Sequence, residues 1–211
     1  MKKILTIIAA LAIASSAFAQ LPEGLTVGAG VTITPLTYST EGAAEGAPSS
    51  LSGINVFAEY EYRATQTSGI SLGVRYVLAG LMYDEKMTVG METAEIKYAW
   101  NNIQIPVKYV AHLGGFYVSA GPTFDYWTKC TMRVILSSQT VEENLFNKHS
   151  ADEMNRFNIN LGAEAGYDFQ DHIRVFIGYD YTTKPIIQYT VLGEDWTAKK
   201  SEIRLGVGYK F

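Results

Sequence analysis

From Ile203 to Phe211 every second residue is apolar: Ile203, Leu205, Val207, Tyr209 and Phe211. The positions between them are Arg204, Gly206, Gly208 and Lys210. Side chains of a strand alternate between its two faces, so this period predicts a strand with one oily face and one polar or small face. The same period recurs upstream. Residues 25–35 set Leu25, Val27, Ala29, Val31 and Ile33 against Thr26, Gly28, Gly30 and Thr32. Residues 53–63 set Ile54, Val56, Ala58, Tyr60 and Tyr62 against Asn55, Phe57, Glu59, Glu61 and Arg63, and residues 70–78 continue with Ile70, Leu72, Val74, Tyr76 and Leu78. Residues 116–127, 156–169 and 173–181 repeat it, most clearly in Phe157, Ile159, Leu161, Ala163, Ala165, Tyr167 and Phe169.

One segment is irregular. Over residues 95–110, Ile103, Ile105, Val107 and Tyr109 share one parity while Ile96, Tyr98 and Trp100 lie on the other. That phase slip predicts a β-bulge at Asn101-Asn102, and Pro106 removes a ladder donor nearby. With it the expected strands number eight, each long enough to cross a bilayer at a tilt. The connections sort by length. Short turns follow the second, fourth and sixth strands; long loops follow the others, over residues 36–52, 84–94, 128–155 and 184–196. An even strand count with short turns on one side and long loops on the other predicts an all-β fold, an eight-stranded antiparallel up-and-down transmembrane β-barrel with both termini at the turn end. Aromatics support this. Tyr60, Tyr62, Tyr109, Phe116, Tyr167, Phe169, Tyr209 and Phe211 gather at the turn end, and Tyr98, Trp100, Phe124, Tyr126, Phe157, Tyr179 and Tyr181 at the loop end, as two interfacial girdles would.

Composition narrows the class. Among 211 residues, 19 are Gly and 14 are Tyr, and only 18% are charged, which suits strands and tight turns better than helices. Lys2 and Lys3, an apolar run of about ten residues from Ile4 to Ile13 and Ala17-Phe18-Ala19 form a secretory signal pattern, expected to leave a barrel domain over residues 20–211 after a 1–19 signal peptide. Without Lys2 and Lys3, 15 basic residues face 21 acidic ones, a net charge of −6 that gives no support for a nucleic-acid partner. Cys130, the single cysteine, excludes an intramolecular disulfide and reads as an incidental thiol just past the fifth strand.

This pattern of eight alternating segments, sorted loops, paired aromatic girdles and a closing Phe resembles the small outer-membrane barrels of the OmpA/OmpX type. The Tyr-rich hairpins bring it nearer the PorT-like outer membrane protein β-barrel domain. The resemblance implies a location in the bacterial outer membrane, contact with outer-membrane lipid, and Tyr209 and Phe211 as the assembly signal read by the barrel assembly machinery. It implies no particular activity.

The inward positions carry the chemistry. Glu59, Glu61, Asp125, Glu164, Asp168, Asp180 and Glu202 face Arg63, Arg75, Lys108, Arg156, Arg174, Arg204 and Lys210. Eight strands leave only room for side chains, so these charges are expected to form a neutralised network that plugs the lumen, with Glu59, Glu61, Arg75, Glu164, Glu202 and Arg204 as the mid-height cluster. A gated narrow channel for small solutes is the alternative use of the same groups. There is no metal-ligand spacing, phosphate loop or nucleophile elbow, so no cofactor is called for. His149-Ser150, with Ser137, Ser138, Asp152 and Glu153 in the same loop, supplies the residue types of a hydroxyl–imidazole–carboxylate relay, the pattern a lipid-modifying enzyme would use. His112 and His172 fall in short turns and read as solvated. The long loop has a β-prone head, residues 131–136, so the barrel can continue beyond the membrane as a hairpin. Residues 131–150 are therefore the expected contact for a surface or host protein, in a protein whose expected role is non-enzymatic: envelope structure or surface binding through its long loops.

Overall fold

The computed structural model describes residues 24–40, 49–80, 84–89, 92–135, 140–144, 146, 155–170, 172–191 and 194–211. Its strands are β1 (Leu25–Thr40), β2 (Ser49–Arg63), β3 (Ser68–Ala79), β4 (Asp84–Val89), β5 (Glu92–Leu113) and β6 (Phe116–Ile135). They continue with β7 (Thr140–Asn144), β8 (Phe157–Phe169), β9 (Ile173–Thr182), β10 (Ile187–Val191) and β11 (Glu194–Lys210). Eight of them, β1, β2, β3, β5, β6, β8, β9 and β11, close on themselves antiparallel: β11 pairs β1 at one seam and β5 pairs β6 opposite. Closure leaves no ladder edge around the barrel wall, which is what backbone groups need where no water can reach them.

The alternation in the sequence becomes the wall itself. Along β9 burial alternates without a break, with Ile173, Val175, Ile177, Tyr179 and Tyr181 exposed and Arg174, Phe176, Gly178, Asp180 and Thr182 buried. The apolar face is the outside and the polar face the inside, inverted from a water-soluble barrel. The seam needs close approach. Phe57 and Phe176 point inward and meet edge-on at 5.3 Å. A Cβ at Gly28 would lie 2.6 Å from Phe57 Cζ, and one at Gly206 would lie 2.5 Å from Phe176 Cζ. Glycine at these positions leaves the volume that the two rings fill.

The turn end is tight. Leu113 pairs with Phe116 across Gly114-Gly115, and Gly114 has a φ of 65°, which a two-residue II′ hairpin requires at its first central position. Pro106 stays within β5, but the β3–β5 ladder passes from Leu72↔Val107 to Arg75↔Gln104 without a pair between.

The loop end differs from the expected long loops. β1, β5, β6 and β11 run on past the predicted strand limits, and β4, β7 and β10 add to them as short partners. The expected hairpin beyond the barrel is present, but β6 pairs there with β7 inside the loop and not with β8. Across its outer rungs Arg133 Nε donates to Glu142 Oε2 at 3.1 Å, and Lys129 Nζ lies 3.7 Å from Glu142 Oε1. The hydrogen bond from Arg133 holds the Glu142 carboxyl below the usual carboxylate range.

The register shift predicted at Asn101-Asn102 lies there, yet the extra residue is Thr128 on the facing strand: Asn101 pairs with Lys129 and Asn102 with Trp127. β5 itself keeps its phase. Trp100 shares the inward face with Asn102 and Gln104 and is buried, so it is not a girdle residue. Cys130 likewise lies within β6, buried, and not past its end.

Candidate functional site

The interior is built in three polar layers under an apolar stopper. At the turn end Arg174 makes a bidentate contact with Asp168, Nε to Oδ1 at 2.7 Å and Nη2 to Oδ2 at 2.9 Å. The same Nη2 reaches Glu61 Oε2 at 3.1 Å, and the guanidinium lies 4.1 Å over the Tyr117 ring. Lys210 Nζ donates to Asp168 Oδ2 at 2.9 Å, and His112 Nε2 meets Glu61 Oε1 at 2.6 Å. Three strands, β5, β9 and β11, thus converge on the carboxylates of β2 and β8, and such charge-assisted, two-pronged bonds add geometric specificity as well as energy.

At mid-height Glu164 is the hub. It accepts from Lys108 Nζ at 2.9 Å, Arg204 Nη1 at 3.2 Å and the Tyr117 hydroxyl at 2.9 Å. Arg204 also lies 2.5 Å from Asp180 Oδ2 through Nη2, an ion pair not aligned as a hydrogen bond, and 3.6 Å from Glu202 Oε1. Gln104 ties this layer together, accepting from Arg75 Nη1 at 3.0 Å and donating to Glu202 Oε2 at 2.9 Å. Between Thr26, Phe57, Glu59, Arg75, Glu164, Arg174 and Phe176 the remaining void has no volume large enough for a water molecule.

The third layer centres on Asp125, which accepts from Lys200 Nζ and from the side-chain amides of Asn102 and Asn160. Lys200 Nζ also lies 5.0 Å over the Trp127 ring, where the polar interior ends. Above it Trp100 and Trp127 pack at 4.9 Å, joined by Val77, Ala79, Cys130, Ala198 and two residues from outside the barrel strands, Phe146 and Ile186. Arg156 caps this group, its guanidinium 4.2 Å over the Phe146 ring and its Nη2 donating to the Phe146 carbonyl at 3.2 Å.

Of the six residues expected at mid-height, Arg75, Glu164, Glu202 and Arg204 meet there; Glu61 belongs to the turn-end layer. Glu59 lies between, its nearest described cation Arg174 Nη1 at 4.0 Å. Arg63 and Arg156 are exposed at opposite rims, so neither is an interior charge, although Arg63 Nε still donates to Glu61 at 3.0 Å. His112 is not a solvated turn residue: it is the penultimate residue of β5, faces inward and is buried against Glu61. His172 is exposed, with its ring stacked on Tyr209. Lys200 was missed because the eighth alternation was read only from Ile203, though it shares the inward parity of Glu202 and Arg204. Among the described residues the buried acids Glu59, Glu61, Asp125, Glu164, Asp168, Asp180 and Glu202 exceed the six buried Lys and Arg by one, and His112 is buried among them.

Phe211 closes the seam: its N–H donates to the Leu25 carbonyl at 2.8 Å, its carbonyl accepts from Gly24 at 3.1 Å, and its ring stands edge-on to Tyr209. The signal pattern of residues 1–19, His149, Ser150, Ser137, Ser138, Asp152 and Glu153 lie outside the described residues. No group of three or more His, Cys, Asp or Glu among the described residues could hold a metal ion.

A family model described as outer membrane protein beta-barrel domain matches residues 5–211. No curated protein matches the chain. Among solved structures, the attachment invasion locus protein Ail of Yersinia pestis is 12% identical, with 90% of this chain and 100% of that one covered and a TM-score of 0.44. Neisserial surface protein A is 15% identical over 89% of this chain and 97% of that one, with a TM-score of 0.41. The outer membrane protease OmpT of Escherichia coli is 9% identical over 90% and 98%, with a TM-score of 0.45.

Proposed function

For a chain that belongs to the outer membrane protein β-barrel domain family, an integral outer-membrane protein, we propose a non-enzymatic surface role: a closed barrel that holds a β-ribbon beyond the membrane as a binding edge. The filled lumen supports the closed half of this reading. Side chains occupy the interior through three polar layers, and Trp100 and Trp127 close its outer end, so neither a diffusion path nor a narrow solute channel is favoured.

The observation that carries the binding half is the edge of β7. It pairs with β6 on one side, and among the described residues no strand lies beyond it on the other. Its N–H and C=O groups on that side are therefore placed to accept an extended polypeptide by strand addition, with Val141, 50% exposed, as an apolar contact. Arg133 and Glu142 brace the ribbon from its paired side. The partner surface falls within residues 131–150.

Deleting residues 136–144 removes β7 and leaves the barrel strands intact. In an array of extended peptides probed with the purified barrel, the deletion is expected to lower binding at least tenfold while heat-modifiable migration stays normal. Equal binding by both proteins would sink the reading.

A further inference from the structure

We propose that the open edge of β7 is one wall of a slot whose other wall is β10, and that the slot takes a partner's β-hairpin, two strands at once. The inference rests on the strand-addition reading above and names the form of its partner. Beyond the rung of Tyr126 and Phe157, β6 loses β8 and takes β7 on the same side, because β5 fills its other side as far as Glu95↔Ile135. β11 does likewise. It pairs with β9 as far as Ser201 and then with β10, while β1 holds its other side as far as Thr40↔Trp196. β8 and β9 pair with each other below. The outer edges of β7 and β10 therefore flank one line, the outward continuation of β8 and β9. Among the described residues neither edge has a strand beyond it.

The two edges stand at one height. Tyr126 and Tyr181 are exposed on the apolar face at the outer end of the barrel. β7 pairs with residues 131–135 of β6, five to nine positions beyond Tyr126, and β10 covers residues 187–191, six to ten beyond Tyr181. At the base the two sides are tied. The Asn155 N–H donates to the Ile186 carbonyl at 3.0 Å, and the Ile186 N–H donates to the Ala198 carbonyl at 2.8 Å. Phe146 follows β7 by two residues and Ile186 immediately precedes β10. Both are buried in the stopper, which gives the slot an apolar floor.

Strand sense decides what fits. β6 runs away from the membrane, so β7 runs toward it; β11 runs toward the membrane, so β10 runs away. One strand in the slot would be antiparallel to one wall and parallel to the other. A hairpin is antiparallel to both, and antiparallel ladders are the more stable per residue. Each wall is only five residues long. A free extended peptide would have to be ordered on one short ladder, whereas a hairpin arrives ordered and gains two. The walls also set a pattern. Cys130 is buried toward the lumen, while Arg133 and its rung partner Glu142 are exposed on the opposite face. Val141 therefore lies on the lumen-ward face of β7, where it is 50% exposed. The fitting hairpin is amphipathic, with its apolar residues above Phe146 and Ile186 and its polar residues outward.

The test exposes the purified full-length barrel to an array of backbone-cyclised hairpins of alternating apolar and polar residues, beside linear peptides of the same sequences. Their strands match the five residues of each wall. The cyclised forms are expected to bind about tenfold tighter than the linear ones. Gln188→Pro with Thr190→Pro removes the β10 wall, because the lost N–H groups served either the slot or the ladder to β11. That variant is expected to bind hairpins about tenfold more weakly and linear peptides as before. Deleting residues 136–144 is expected to weaken both. Linear peptides that bind as tightly as hairpins, or a double-proline variant that binds hairpins like wild type, overturn the slot and leave strand addition to β7 standing. Binding of neither form by the wild-type protein overturns both readings. Heat-modifiable migration of each variant shows that the barrel itself is closed.

Discussion

Replacing Arg204 with Leu is expected to destabilise the barrel by roughly 3–5 kcal/mol. The reason is the number of charges that depend on it. Arg204 lies 3.2 Å from Glu164, 2.5 Å from Asp180 and 3.6 Å from Glu202. Its side chain is fully buried, so no water takes over when the guanidinium goes. Three carboxylates would then share Lys108, Arg75 and Lys200, each already engaged. Removing an acid with the base reverses part of the loss. Arg204→Leu with Glu164→Gln is expected to recover at least about 1 kcal/mol relative to Arg204→Leu alone, because a charge left behind costs more than a pair removed. Urea unfolding in lipid vesicles, followed by heat-modifiable migration, gives both values. A single variant as stable as wild type would mean that the network contributes little.

The second large effect belongs to the stopper. Trp127→Ala is expected to cost about 3–5 kcal/mol, the usual range for truncating a large aromatic in a packed core. Trp127 is 2% exposed, packs on Trp100 at 4.9 Å and lies beneath Phe146 and Ile186. Near-ultraviolet circular dichroism reports the change directly, since the coupled indole pair disappears with either member. Trp100→Ala should remove the same signal. If Trp127→Ala kept the near-ultraviolet spectrum of the wild type, the two indoles would not be in contact and the outer closure would have to lie elsewhere.

Most of the wall was legible in the sequence because the bilayer imposes one rule on it. Lipid-facing positions must be apolar and lumen-facing positions need not be, so β8 and β9 read at sight from Phe157 to Tyr181. The rule lapses where the solvent changes. Above the membrane both faces are wet, alternation is no longer enforced, and β4, β7 and β10 lay hidden in segments that read as loops. It also inverts at the stopper, where the lumen itself turns apolar. Trp100 therefore looked like an outward residue ahead of a phase slip in β5, when the slip was in β6 at Thr128. Parity identified the interior charges, but it could not rank their depth. Depth follows from shear and tilt, which set Glu61 with Arg174 and Lys210 at the turn end and left Arg63 and Arg156 at the rims. His112 was missed for a related reason, since a residue one step from a Gly-Gly turn still faced the lumen.

The closed lumen is the claim on which the rest stands, and planar-bilayer recording of the purified wild-type protein tests it most directly. With the charge layers filled and Trp100 and Trp127 packed across the outer end, insertion is expected to leave the current at the level of the bare bilayer. Large, stable and reproducible steps from the folded protein would contradict the closed barrel.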